Sequence, residues 1–151
     1  MLTKNEPEFL NHVLLDDQAA VAFCSVLFGI SQTWDDLVDR DKPVSDGDIN
    51  KMMWEALITL PGNSFYQTHY GELSVLMQSA IVDWMDSNEL EHGSDHNKLV
   101  AYVLRDSVTT ILIHCARIVG GYEWMREVSV EIRDAIYDEP PAAFIKGLTN
   151  G

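Results

Sequence analysis

Basic residues are scarce in this chain: ten Lys and Arg face 24 Asp and Glu across 151 residues, a net charge of −14. A surface of that sign repels nucleic-acid phosphates and anionic membranes, so direct nucleic-acid binding is not expected. Cysteine is nearly absent. Cys24 and Cys115 each fall inside an apolar helical pattern, which suits reduced, buried thiols rather than a disulfide scaffold or a zinc site. With only five prolines and 46% apolar residues, the chain has a core to bury and is not disordered. Its longest apolar stretch, Ala19 to Ile30, is interrupted by Ser25 and Gly29. It covers about 12 positions, short of the ~20 that cross a bilayer, so no membrane span is expected. The N-terminus carries acids and Pro7 where a secretory leader would be basic and then apolar, and a cytoplasmic location is expected. Gly-rich phosphate loops, G-x-S-x-G, CxxC and HExxH are missing, which leaves a nucleophilic serine or cysteine mechanism without support.

What the sequence does have is apolar spacing of three and four from Leu10 to Tyr137, with almost no strand-like alternation. The expected class is all-α, a bundle of five to six helices in one domain over residues 1–151. Breakers set the boundaries. A helix from about Glu8 to Leu15 precedes one from Gln18 to Arg40, in which the Ala19–Ile30 run is the buried centre. Ser45 with Asp48 three positions on forms a capping box for a helix from Asp46 to about Leu60. Pro61-Gly62-Asn63 makes a turn. Longer helices follow over Ser64–Leu90, Ser94 or Asp95 to Val119, and Gly121 or Tyr122 to Tyr137. Pro140-Pro141 ends the last, and the tail after about 139 is expected to be loosely held.

The densest chemistry lies in residues 34–41, Trp-Asp-Asp-Leu-Val-Asp-Arg-Asp. At 100° per residue Asp35, Asp36 and Asp39 share one 100° arc of the helix, a spacing that suits a hard divalent cation. The opposite reading is a helix end that leaves the core and becomes solvated, with Arg40 pairing to Asp36 at i, i+4.

The run from Phe28 to Val44, FGISQTWDDLVDRDKPV, has Gln32 a few residues ahead of the aspartates. It resembles the aspartate-rich DDxxD element of isoprenoid (terpenoid) synthases. The resemblance implies that Asp35, Asp36 and Asp39 hold Mg²⁺, with Mn²⁺ as a substitute, and that the metal grips a diphosphate ester whose hydrocarbon lies along Val21 and Phe28. It does not extend beyond this window, and the chain has one such element where the family has two, so no catalytic residue is assigned. A chain of about half the family's length would be completed by a second copy, and a homodimer is the expected assembly.

Two further groups carry weaker signals. On the helix from Ser64, Tyr66, Tyr70, Leu73, Met77, Ala80 and Trp84 make a core stripe, beside a mixed one that contains His69, Glu72, Asp83 and Asp86. His69 and Glu72 have the i, i+3 spacing of a shared ion, and Asp83 with Asp86 repeats D-x-x-D. Solvated acids on an acidic surface give the same pattern. On the next helix Asp106, Thr110, His114 and Arg117 line up opposite an apolar side. They form either the second wall of a polar cleft, with Arg117 as an anion contact, or the exposed face of an amphipathic helix.

These features leave three functions open. One is a divalent-metal-binding helical protein resembling isoprenoid synthases that binds or processes a diphosphate ester. Another is an enzyme like the all-α nucleotide pyrophosphohydrolases. The third is a non-enzymatic acidic interaction protein, of viral or mobile-element type, that binds a basic protein surface, with Trp34, Trp54, Trp84 and Trp124 available as core or as interface anchors.

Overall fold

The computed structural model describes residues 6–40 and 42–150. Helical spacing without alternation gives helices throughout: α1 Glu6–Val13, α2 Gln18–Asp39, α3 Asp46–Trp54, a π-helical turn Glu55–Thr59, α4 Ser64–Thr68, α5 Tyr70–Leu90, α6 Asp95–Leu104, α7 Val108–Ile136 and α8 Pro141–Asn150. No strand occurs among the described residues, and six of these helices run nine residues or longer, so the chain is all-α as its periodicity predicts. The helices gather into two compact units, Glu6–Tyr70 and the residues from Gly71 onward.

In the first unit α2 is the element that α1, α3, the π turn and α4 all touch. Asp17 caps its start, accepting from the Ala20 amide at 3.1 Å. Its far end closes on Arg40 in the left-handed conformation, whose amide donates to the Asp36 carbonyl. Ala20, Phe23, Cys24, Leu27 and Phe28 are buried, together with Leu10, Val13 and Leu14 near the α1 end. The opposite side of α2 carries small residues, Ala22, Ser25 and Gly29, and is exposed, so the apolar run is not buried all round. Phe23 stacks on Tyr66 at 5.3 Å between ring centres and meets Phe65 at 6.0 Å. Asn63 joins the two ends of this packing. Its side-chain amide donates to the Ala19 carbonyl at 2.9 Å, and its oxygen accepts from the Tyr66 amide at 2.8 Å. The Ser45–Asp48 capping box forms as its spacing predicts, with both reciprocal bonds present.

The helix expected over Ser64–Leu90 is interrupted at His69, which leaves helical geometry at φ −114° and ψ 24°. Thr68 turns its hydroxyl back to the Ser64 carbonyl at 2.9 Å, and Gly71 follows, both of which weaken helical continuity. A second interruption separates α6 from α7 at residues 105–107. There the Ser107 and Thr109 hydroxyls donate to the carbonyls of Leu104 and Asp106 at 2.7 and 2.6 Å. The break expected between Val119 and Tyr122 is a kink inside α7, where Gly121 sits at φ 86° and ψ 179°.

The tail expected to be loose is a helix. In α8, Phe144 is buried and its ring lies 5.6 Å from Tyr102, with the Arg105 guanidinium 4.9 Å over its face. Tyr137 ends α7 beside this cluster, donating its hydroxyl to the Val103 carbonyl at 2.6 Å, and Tyr102 donates to the Glu139 carbonyl. Both cysteines are buried and outside any disulfide. Within 95–148 an 18-residue window reaches a mean hydropathy of 1.4, apolar enough by length and composition to cross a bilayer. Ile111, Leu112, Ile113, Cys115 and Ala116 of this stretch are buried in the fold.

Two measurements check this packing. A Cβ at position 121 meets nothing within 4 Å, so Gly121→Ala changes only the backbone preference; it is expected to cost ~1–3 kcal/mol in urea denaturation. Tyr137 is pushed up to about 12 by burial and then by the Asp106 charge, from an ordinary value of 10.0. Its neutral form is therefore favoured by folding, a contribution present below pH 10 and lost as pH climbs through about 12. Tyr137→Phe should lower stability at neutral pH by ~1 kcal/mol, through loss of the Val103 bond, and flatten the alkaline decline of the denaturation midpoint.

Candidate functional site

The aspartates stand on the last turns of α2, Asp35 and Asp36 half-buried and Asp39 exposed. Asp36 is engaged within the helix, accepting from Gln32 Nε2 at 3.1 Å. Arg40, expected to pair with it through the guanidinium, instead reaches the Asp36 carbonyl with its amide at 3.0 Å. Asp36 also borders a shallow depression of about 360 Å³ shared with Leu37, Arg40, Lys42, Pro43 and Val44. Among the described residues no group of three or more His, Cys, Asp and Glu side chains is arranged to hold a metal ion. Asp35, Asp36 and Asp39 share the arc in helical angle without forming such a group.

The second set is drawn together more closely. Arg117 on α7 pairs with Glu72 on α5, and its Nε donates to His114 Nδ1 at 3.3 Å. That bond requires an unprotonated Nδ1 on His114. Lower on α5, Asp83 lies 2.8 Å from the Ser107 hydroxyl just before α7 begins and shares its one proton with the Leu104 carbonyl. Glu72 opposite Arg117 and Asp83 opposite Ser107 set α5 and α7 antiparallel, joined by a polar seam. Members of the two weaker sequence groups thus meet, as struts between helices. Thr110 is half-buried on the same stretch of α7, and Asp86 is exposed. Asp106 lies in the turn, where its carbonyl accepts from Thr109. His69 packs its ring on Phe65 at 4.9 Å. Arg117 and His114 are held by protein partners, so the seam has the character of a structural bond more than of an open anion site.

A third feature lies outside those groups. Ile49, Met52 and Ala56 are the half-buried side of α3 and the π turn, along with Glu55, whose carboxylate lies near Gly29 and pairs with Lys51 at 3.5 Å. The outward side carries Met53, Trp54, Leu57 and Ile58, with Trp54 64% and Leu57 63% exposed. The Leu60 amide donates to the Glu55 carbonyl at 2.8 Å, the i, i+5 bond of the π turn. On a 3.6-residue wheel Met53, Trp54, Leu57 and Ile58 fall within one arc of about 140°, so the ridge keeps ordinary helical spacing across the turn. The other three tryptophans are half-buried. The signal in the sequence was the Lys-Met-Met-Trp-Glu-Ala-Leu-Ile order itself, which has more large apolar residues than one helical face can bury.

No protein-family model matches the chain, and no curated protein or solved structure matches it significantly.

The aspartate cluster can be checked directly. With no metal-holding group among the described residues, millimolar Mg²⁺ or Mn²⁺ is expected to leave the melting temperature unchanged apart from a general salt effect. Asp35→Asn with Asp39→Asn is expected to shift stability by at most ~0.5 kcal/mol. A saturable rise in wild type that the double variant loses would restore the metal site.

Proposed function

We propose that this chain is a non-enzymatic, acidic interaction protein whose helices present apolar surface to a basic partner protein. The observation that supports it is the ridge of Met53, Trp54, Leu57 and Ile58, four large apolar side chains each about half exposed or more. Soluble monomers rarely leave such a cluster open, and exposed clusters of this kind mark interaction sites. Tryptophan is the side chain most enriched at binding hot spots, because it buries a large area at small conformational cost. The net charge of the chain favours a basic partner: it is −14, and no Lys or Arg occurs from Met52 to Asn97. Net charge of one sign steers an oppositely charged partner and rejects like-charged ones.

The two enzyme readings, isoprenoid-synthase-like and nucleotide-pyrophosphohydrolase-like, share a requirement that separates them from this one: a phosphate chain held through divalent metal. A thermal-shift series with Mg²⁺ plus pyrophosphate, prenyl diphosphates or nucleotides is expected to give no saturable shift. A photo-crosslinking residue at position 54, expressed in the native cells, is expected to yield a discrete protein adduct that is absent when the probe replaces exposed Glu127. Trp54→Ala should move folding stability by less than ~1 kcal/mol, since the side chain is already mostly in water. Saturable stabilisation by a diphosphate, or equal labelling at both positions, would overturn the reading.

A further inference from the structure

The second unit carries an exposed apolar seam of its own, on α5. Val75, Ile81, Val82 and Met85 are each between 44% and 58% exposed, and Gln78 is exposed among them. Positions 75, 78, 82 and 85 follow the alternating three and four spacing by which one helix receives another. From Val75 to Met85 the seam runs about 15 Å, nearly three turns. The remainder of α5 is already committed. Leu73 is buried, Met77, Ala80 and Trp84 are half-buried, and Glu72 and Asp83 bond to Arg117 and Ser107. The seam is therefore a separate third face of this helix, one for which the periodicity of a single core stripe leaves no place.

We infer that this seam is a docking groove for a basic amphipathic helix of a partner protein. The inference rests on the interaction reading but uses a different face in a different unit from the Trp54 ridge. Charge identifies the occupant. Tyr70–Leu90 contains Glu72, Asp83, Asp86 and Glu89 and no Lys, Arg or His. Exposed Asp86 flanks the seam on one side and exposed Glu89 extends it at the C-terminal end of α5, where the helix dipole adds further negative potential. A second copy of this chain brings only acids to such an interface: in antiparallel pairing the Asp86–Glu89 end of one α5 meets the Glu72 end of the other. A helix with Leu, Ile or Met at three and four spacing, and Lys or Arg beside that stripe toward the end that meets Asp86 and Glu89, satisfies both the apolar and the charged halves. Its apolar stripe needs to cover the same length, so about 12 to 18 residues suffice.

The test is fluorescence anisotropy with full-length protein and a labelled, helix-stapled peptide of about 18 residues carrying a Leu stripe with Lys along one edge. Two controls accompany it, a peptide of the same composition in scrambled order and one with Glu in place of Lys. The stapled peptide is expected to bind saturably and the controls at least about tenfold more weakly. Val82→Ser with Met85→Ser, and separately Asp86→Lys with Glu89→Lys, should each weaken binding about tenfold or more, with circular dichroism unchanged. Glu123→Lys with Glu127→Lys makes the same charge change on α7 beyond Gly121 and should leave affinity unaltered, as should Trp54→Ala. Equal binding of the scrambled peptide, or equal weakening by the α7 pair, would show attraction to net charge alone and overturn the groove. Sedimentation as a dimer that Val82→Ser with Met85→Ser dissolves would overturn it in favour of a second copy. Failure of crosslinking at position 54 with these results intact rejects the ridge and leaves the groove standing, and the converse result rejects the groove alone.

Discussion

Ten Lys and Arg cannot neutralise 24 Asp and Glu, so this fold is held by apolar packing and by acids used where a negative charge is favourable. Helix N-termini are such places, because unpaired amides there carry partial positive charge. Glu6 and Glu8 occupy the first turn of α1, Asp46 and Asp48 that of α3, Glu72 that of α5 and Asp95 that of α6. Asp17 caps α2 directly. Cations are placed at joints. Arg117 ties α7 to α5 through Glu72, and Arg105 reaches Glu91 at 3.7 Å while covering Phe144. The ion pairs on these partly exposed side chains contribute ~1 kcal/mol or less each, so their value lies more in fixing register than in stability.

Features set by local chemistry were legible in the sequence. The helical class, the capping box at Ser45 and Asp48, the Pro61-Gly62-Asn63 turn and the break near Gly121 each depend on a few adjacent residues, and each is present. Features set by distant partners were not. α8 exists because Phe144 has Tyr102 and Arg105 to pack on, and nothing between Pro140 and Gly151 announces those partners. The interruptions at His69 and at 105–107 depend on Ser and Thr hydroxyls choosing carbonyls over solvent, a choice that packing decides. For the candidate site the limit was similar. Helical angle placed Asp35, Asp36 and Asp39 on one arc, but angle does not say whether side chains converge, and Gln32 takes up Asp36. Sequence spacing marked Glu72, Asp83, His114 and Arg117 as polar lines on two separate helices; only the antiparallel placement of α5 and α7 shows that the lines face each other.

That placement inverts the usual division of a surface helix. On α5 the acids Glu72 and Asp83 turn to α7, and Val75, Val82 and Met85 turn to water. At the π turn Glu55 lies on the half-buried side near Gly29, with Trp54 and Leu57 outside. Each inversion forgoes the ~25 cal/mol per Å² that burying those apolar groups would contribute, and neither is required by the packing of its own unit, where Phe23 in the first and Leu73, Ile111 and Ile132 in the second are already buried. A single misplaced apolar residue needs no account, but two clusters at helical spacing, both inside the stretch that lacks Lys and Arg, are a pattern.

Open apolar faces favour nonspecific association, and the charge opposes it. A net −14 on 151 residues makes close approach of two copies unfavourable, so the apolar clusters can remain exposed without driving nonspecific association. The same field that repels a copy attracts a cation-bearing partner, most strongly at low salt and over the distance of a Debye length. Under the proposed interaction reading, acidity and exposed apolar surface are complementary: the charge would select a cationic class of partner and speed the encounter, and the apolar seam would supply the contact that persists once solvent is expelled.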